Sequence, residues 1–304
     1  MIEGVVAGVA IALPYIGPFY IALSILEDSG YMTRIAFLTD SAMHKIGLHG
    51  NGIIPLMLGF GCNVPACLGC RIMETRREQL ICAFVTSLIP CSARTIVIMG
   101  LVANYVGFEW AIALYIIDFA IIFVLGRLAF KVVPGEPVDL IMEMSSFKLP
   151  TFRVIASKTW LNLIGFVKIA FPIIIIGNLF IQLADLVGLI NLVQDALYPI
   201  TVLWLGLPAV TGVVLIFGIL RKELTLILLA SLTGSSNFTH ILTPTQMFVF
   251  AFVVMIYVPC IATISVLAKE FGYKIAAIIS GIEIGLALTL GGILFRILSF
   301  LKFG

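Results

Sequence analysis

An all-α, polytopic helical membrane protein of about eight spans, several of them broken, is the fold this sequence predicts. Three observations carry that prediction. The 304 residues are 61% hydrophobic and 11% charged, whereas an ordinary soluble domain carries about 25% charge. At about 20 residues per crossing plus short loops, the length accommodates roughly eight crossings in one membrane domain. Several apolar stretches carry glycine, proline and polar residues at their middle, and backbone that breaks at membrane depth is tolerated only where it is buried in protein or lines a wet cavity.

The same composition excludes other classes. A net charge of +2 with no lysine-rich run gives no footprint for nucleic acid. The six cysteines lie mostly in apolar segments, which argues against a disulfide framework. There is no G-x-x-x-x-G-K-[ST], no HExxH and no GxSxG, so no catalytic role and no covalently bound cofactor is expected of this chain.

In chain order, residues 2–26 lack a basic leader and are too long for a signal peptide's apolar core, so they form a first span, kinked at Pro14 and Pro18. It ends at Glu27, Asp28, Ser29 and Gly30. Residues 31–45 set Met32, Ile35, Ala36 and Leu38 against Arg34, Asp40 and Lys45, the pattern of a helix lying in the interface. A turn follows at 47–51. Residues 58–70, LGFGCNVPACLGC, break the apolar segment 53–70 and mark the centre of a conduit, and a charged loop covers 71–79. Residues 80–107 span with an interruption at Pro90, and 110–130 span with Asp118 near the middle.

Residues 131–159 make the longest polar connection, 160–183 span, 185–198 are short and amphipathic, and 201–220 span as far as Arg221, Lys222 and Glu223. Residues 224–232 are too short to cross and read as a half-helix before a polar turn at 233–243. Residues 244–268 span through Pro259, and 275–298 close the chain. Arg71, Arg76, Arg77, Lys131, Lys148, Arg153 and Lys158 lie in loops two crossings apart, so both loops are expected in the cytosol. The side occupied by Lys269 and Lys274 depends on whether 224–232 is re-entrant.

Three thiols stand out. Cys62, Cys91 and Cys260 each sit beside a proline or glycine break, and Pro90, Cys91 and Ala93 are echoed by Pro259, Cys260 and Ala262. Thiol sulfur together with freed carbonyls suits a softer transition metal such as Fe(II), Cu(I) or Zn(II), whereas packing as a small apolar residue is the plain alternative. Asn63 either adds a carbonyl oxygen or caps the next half-helix. Ser87, Cys91 and Thr95 fall on one helical stripe, distorted by Pro90. Arg94, Asp118, Lys168, Glu223 and Glu283 are ionisable groups inside spans and default to functional or paired status, an Arg94–Asp118 pair being the structural option. Glu27 and Asp28 form either an acidic vestibule that concentrates cations or an ordinary solvated helix end. Cys67 and Cys70 make half of a zinc motif with no second pair, and His44, His49 and His240 are expected to be loop side chains that are solvated or hydrogen-bonded.

The runs SILEDSGYMTRIAFLTD (24–40), IPLMLGFGCNVPA (54–66), PCSAR (90–94), GILRKE (218–223) and VPCIAT (258–263) resemble, in order, the membrane region of FeoB, the prokaryotic ferrous iron transporter family. The resemblance covers nearly the whole chain. It implies two gate-type repeats, over 1–130 and 201–304, around a linker and central membrane region at 131–200. It further implies Fe(II) entry into the cytosol across the cell membrane, with Cys62, Cys91 and Cys260 near the path and Glu27, Asp28 and Glu223 in matching acidic motifs. GTP and Mg would act only through a FeoB-type GTPase on a trimmed segment or separate chain, and a small cytosolic Feo protein is a further implied partner. Where many members continue GCNVPA with an Ile-Met-Ala-Thr-Arg-like run, this chain has Cys67, Leu68, Gly69, Cys70 and Arg71. The rivals are a gate-fold permease for nucleosides or for Mn(II) or Zn(II), and a membrane scaffold that only docks a G domain. The number of subunits, a homo-oligomer included, is left open.

Overall fold

The computed structural model describes residues 17–18, 20–22, 24–26, 28–134, 151–161, 164, 197–220, 222, 225–233 and 238–301. The expectations for 2–16, for Glu27 and Glu223, for Lys168 and for most of 160–198 lie outside these residues.

Helix α1, Tyr31–Ile46, buries Met32, Ala36, Met43 and Ile46 on one face; of the apolar set read from sequence Met32 and Ala36 are on it, whereas Ile35 is half-buried and Leu38 is exposed. Gly47, at φ 84°, closes it with paired bonds from Gly47 N to His44 O (3.1 Å) and Leu48 N to Met43 O (3.0 Å), a Schellman ending that reverses the chain. A Cβ at Gly47 would strike the Phe130 ring, so both backbone and space demand glycine here. Gly47→Ala is expected to destabilise the protein by on the order of 2 kcal/mol; an unchanged melting temperature in detergent would show that this turn carries no constraint.

Helix α2, Ile53–Gly61, stops at Cys62, which is extended (φ −156°, ψ 128°), and α3 runs Asn63–Gly69. Gly69, at the end of α3, lies against the side chains of Pro55 and Leu58 near the start of α2. The broken stretch is therefore a hairpin that enters and leaves by one face. Thr75 then caps α4, Arg76–Leu88, by accepting from Glu78 N, so the helix begins inside the stretch expected to be a loop. Ile89, Pro90 and Cys91 interrupt it before α5, Ser92–Val97, which widens into a π-helical turn at Ile98–Ala103. Helix α6, Phe108–Val132, is unbroken.

The second half repeats this order. Gly206, at φ 66°, and Pro208 keep the expected 201–220 span from forming as one helix, leaving α7, Ala209–Leu220, and α8, Thr225–Thr233. Helix α9, Pro244–Ile256, starts with a capping box between Thr243 and Gln246 and proline in its first turn. Tyr257 to Cys260 interrupt it before α10, Ile261–Phe271, and α11, Tyr273–Phe300, is again unbroken. Within the expected polar connection, residues 152–161 are helical.

Contacts at the two ends fix the topology. Arg76 donates to Phe271 O (3.1 Å), Arg77 to Phe130 O (2.6 Å) and Val133 O (3.0 Å), and Arg71 pairs with Glu270. The start of α4 and the ends of α6 and α10 thus share one face, and Lys269 belongs to it. At the other face Gln246 Nε2 donates to Gly206 O (2.7 Å) and the Tyr105 and Phe238 rings meet edge-on at 5.7 Å, so α7 and α8 form a hairpin opening the opposite way. Hairpin, interrupted span and straight span therefore recur with inverted topology, an arrangement common among transporters.

Among the described residues four helical runs are long and apolar enough to cross a membrane, Arg76–Ala103, Phe108–Val132, Pro244–Phe271 and Tyr273–Phe300. The expected crossing at 201–220 is instead one arm of a hairpin with the expected half-helix, and the broken stretch 53–69 is another hairpin. The α9–α10 run is the most enclosed, with α9 buried on every side, as befits a helix that is apolar all round. Helices α6 and α11 expose Ile116, Phe119, Val124, Ile278, Ile282 and Ile293, the outward apolar surface of a membrane wall. The protein is all-α and built for a bilayer.

Candidate permeation site

Each interruption leaves main-chain carbonyls without helical partners, and the sequence supplies two buried cations to meet them. Arg94, fully buried in the first turns of α5, reaches back so that Nη1 donates to the carbonyls of Ser87 (3.0 Å), Leu88 (2.9 Å) and Ile89 (3.1 Å). Its Nη2 donates across to Tyr257 O at the end of α9 (3.1 Å). Lys222, between α7 and α8 and also buried, donates to the same Tyr257 O (3.1 Å) and to Val254 O (3.4 Å). Cations at the carbonyl ends of half-helices oppose their partial negative charge. Ser92 Oγ ties the tip of the first hairpin in by donating to Gly61 O (2.9 Å).

The acceptors facing this centre are under-supplied. Asn63 Nδ2 donates to Ser87 O (3.2 Å) and Ile89 O (3.4 Å), so this residue does not cap α3; its Oδ1 is buried and accepts nothing. Glu283 Oε1 accepts from Ser87 Oγ, while Oε2 has no donor. Asp118, buried on α6, has no donor to either carboxylate oxygen. The Arg94–Asp118 pair weighed from sequence does not form, because the guanidinium is occupied by carbonyls; the Arg94 and Lys222 charges act on Asp118 through space. Asp118 and Glu283 are each the eleventh residue of the unbroken helix of their half.

Cys62 separates α2 from α3, and Cys91 and Cys260 stand at the entries to α5 and α10. All three are half-buried and none forms a disulfide. Cys91 and Cys260 lie within electrostatic reach of each other and of Lys222, and Cys260 Sγ contacts Thr263 Oγ1 (3.2 Å). The thiols flank the polar centre rather than touching as a ready-made triplet: among the described residues, three ligand atoms within 4.8 Å of one another occur at Asp40, His44 and His49.

Other sequence candidates fall elsewhere. The Ser87–Cys91–Thr95 stripe is divided by the break, since Ser87 turns to Glu283 and Thr95 accepts from Tyr115 OH (2.9 Å). Cys67 and Cys70 are fully buried, Cys70 lying 3.7 Å and Cys82 3.9 Å from Thr86 Oγ1, which is packing between α3 and α4. Asp28 is half-buried at the end of the first helical stretch. His44 belongs to the last turn of α1 rather than to a loop, though exposed and in contact with Asp40 O as expected, while His49 lies in the loop that follows, buried beside Glu78 rather than solvated; the side chain of His240 lies outside the described residues. Lys222 is the central group that sequence reasoning misses, although a lysine between two short apolar segments is a signal that could have found it.

Comparison with known proteins finds relatives by sequence. Residues 9–105 and 167–274 match the family model described as Gate, nucleoside recognition, and residues 111–162 match that of the ferrous iron transport protein B C terminus. The Fe(2+) transporter FeoB of Methanocaldococcus jannaschii is 30% identical over 307 residues, covering 90% of this chain and 45% of that protein. Its counterpart in Staphylococcus aureus is 29% identical over 296 residues, covering 88% and 44%, and that of Escherichia coli is 36% identical over 174 residues, covering 56% and 22%. The chain spans less than half the length of these curated relatives. No solved structure matches. With interrupted helices, inverted hairpins and two family models covering most of its length, the chain belongs to the Gate family and, within it, to the membrane region of the FeoB ferrous iron transporter family.

Proposed function

We propose that this chain forms the permeation pathway of a ferrous iron transporter that delivers Fe(II) to the cytosol, with Cys62, Cys91, Cys260 and Asn63 along the path. The observation that carries the reading is the set of buried oxygens without donors, Asn63 Oδ1, Glu283 Oε2 and both oxygens of Asp118, beside thiols at helix breaks. Orphaned acceptors at membrane depth are expensive, and a divalent cation shedding water supplies what they lack. Sulfur among the donors favours a transition metal over Mg(II) or Ca(II). In this reading Glu27 and Asp28 draw cations toward the mouth, Glu223 belongs to a matching acidic motif, and the repeats occupy 1–130 and 201–304 about a central 131–200. The chain acts as a permease in the cell membrane rather than as an enzyme, opened by a FeoB-type GTPase domain or chain, with a small cytosolic Feo protein as a further partner.

Liposomes holding this chain, with and without a GTPase partner, are expected to take up Fe(II) faster than empty vesicles; equal flux in all three removes the reading. The description of the Gate model favours a second one, a nucleoside permease. Such a site wants several amides and aromatic faces at the breaks, whereas Asn63 is the one amide that the described residues place there. Uridine uptake without Fe(II) uptake decides for it, and competition by Mn(II) and Zn(II) ranks the metals.

A further inference from the structure

On the face that carries Arg71, Arg76 and Arg77, away from the polar centre, three side chains with metal-ligating atoms converge. Asp40 and His44 are one turn apart on α1 and so project from the same side. The Gly47 turn then folds the chain back, and the ligand atoms of Asp40, His44 and His49 all come within 4.8 Å of one another. The two imidazoles meet edge-on with centroids 4.9 Å apart. The return is locked, because Gly50 N donates to Asp40 Oδ1 (2.7 Å) and any Cβ on Gly50 would strike the carbonyl of Ala36.

A second observation points to a ligand. His49 is 4% exposed, neither of its ring nitrogens has a hydrogen-bond partner, and its Nε2 stands 2.9 Å from Glu78 Oε1. Glu78 is itself buried. A buried imidazole with a carboxylate beside one nitrogen and nothing at the other has the layout in which metal-ligating histidines are oriented. Asp40 Oδ2 lies 3.3 Å from His44 Nδ1, and His44 is exposed enough to turn toward an incoming ion.

We propose that Asp40, His44 and His49 bind one divalent first-row transition cation through two imidazole nitrogens and one carboxylate oxygen, with Glu78 orienting His49 and water completing the shell. That donor set suits Zn(II), Fe(II), Co(II) or Mn(II) better than Mg(II) or Ca(II). The site is separate from Cys62 at the polar centre, since the nine residues of α2 put roughly 14 Å of helix between them.

The test is Co(II) titration of the metal-free protein in detergent, followed by visible absorption, in which cysteine ligation adds an intense near-ultraviolet band that histidine and carboxylate do not. Wild-type protein is expected to show a thiolate-free cobalt band, retained in Cys91→Ser and weakened about tenfold or more in affinity in both His44→Ala and Asp40→Asn. His44 is on the surface, and an unchanged melting temperature verifies that its variant folds. A wild-type spectrum without the thiolate-free band, or a His44→Ala variant with unchanged affinity, overturns the proposal. The titration needs no transport, so its outcome does not depend on whether the chain carries Fe(II).

Discussion

Arg94→Ala is expected to abolish Fe(II) uptake and to lower stability by about 3–5 kcal/mol, the effect of leaving several buried carbonyls short of a charged donor. Leu88 O loses its described side-chain donor outright, while Ser87 O and Ile89 O keep only Asn63 and Tyr257 O keeps only Lys222. Arg94→Lys should fall between, because a point charge with three rotating donors does not reproduce a planar fork that serves carbonyls of two different helices. Thermal unfolding in detergent separates the structural loss from the transport loss. An Arg94→Ala protein that melts with the wild type would mean that the helix breaks hold their shape without the guanidinium.

The double variant Cys91→Ser/Cys260→Ser is expected to cut Fe(II) uptake about tenfold or more while leaving melting nearly unchanged. Serine nearly keeps the size of each position and replaces a soft donor by a hard one, so with melting unchanged the exchange reports on metal affinity rather than on packing. Both residues enter half-helices at corresponding places in the two halves. Uptake at the wild-type rate in the double variant assigns these thiols to packing.

Much of the architecture is legible in the sequence because breaks have local causes. Pro90 and Pro259 lie where α4 and α9 end, and the glycines around Cys62 lie where α2 ends. The direction of travel after a break is not legible. That residues 53–69 turn back depends on Gly69 resting against Pro55, a contact that hydropathy does not register. The start of α4 is hidden because Arg76, Arg77 and Glu78 look like loop while Thr75 caps them into a helix. At the polar centre, Arg94, Asp118 and Glu283 announce themselves as charges in apolar segments, but the carbonyls that Arg94 meets, the serine that Glu283 meets and the absence of a donor at Asp118 are set by packing alone. His49 reads as a solvated or hydrogen-bonded loop side chain because its neighbours Gly47, Gly50 and Asn51 are turn formers; its burial beside Glu78 is set by packing.

Tyr257 O accepts from Arg94 of one half and Lys222 of the other, each at 3.1 Å. A single oxygen atom thereby acts as the hinge pin between two oppositely inserted modules, and neither can swing without pulling on the other's charge. Any movement of one half is thereby expected to strain the charge–carbonyl contact of the other at that one junction.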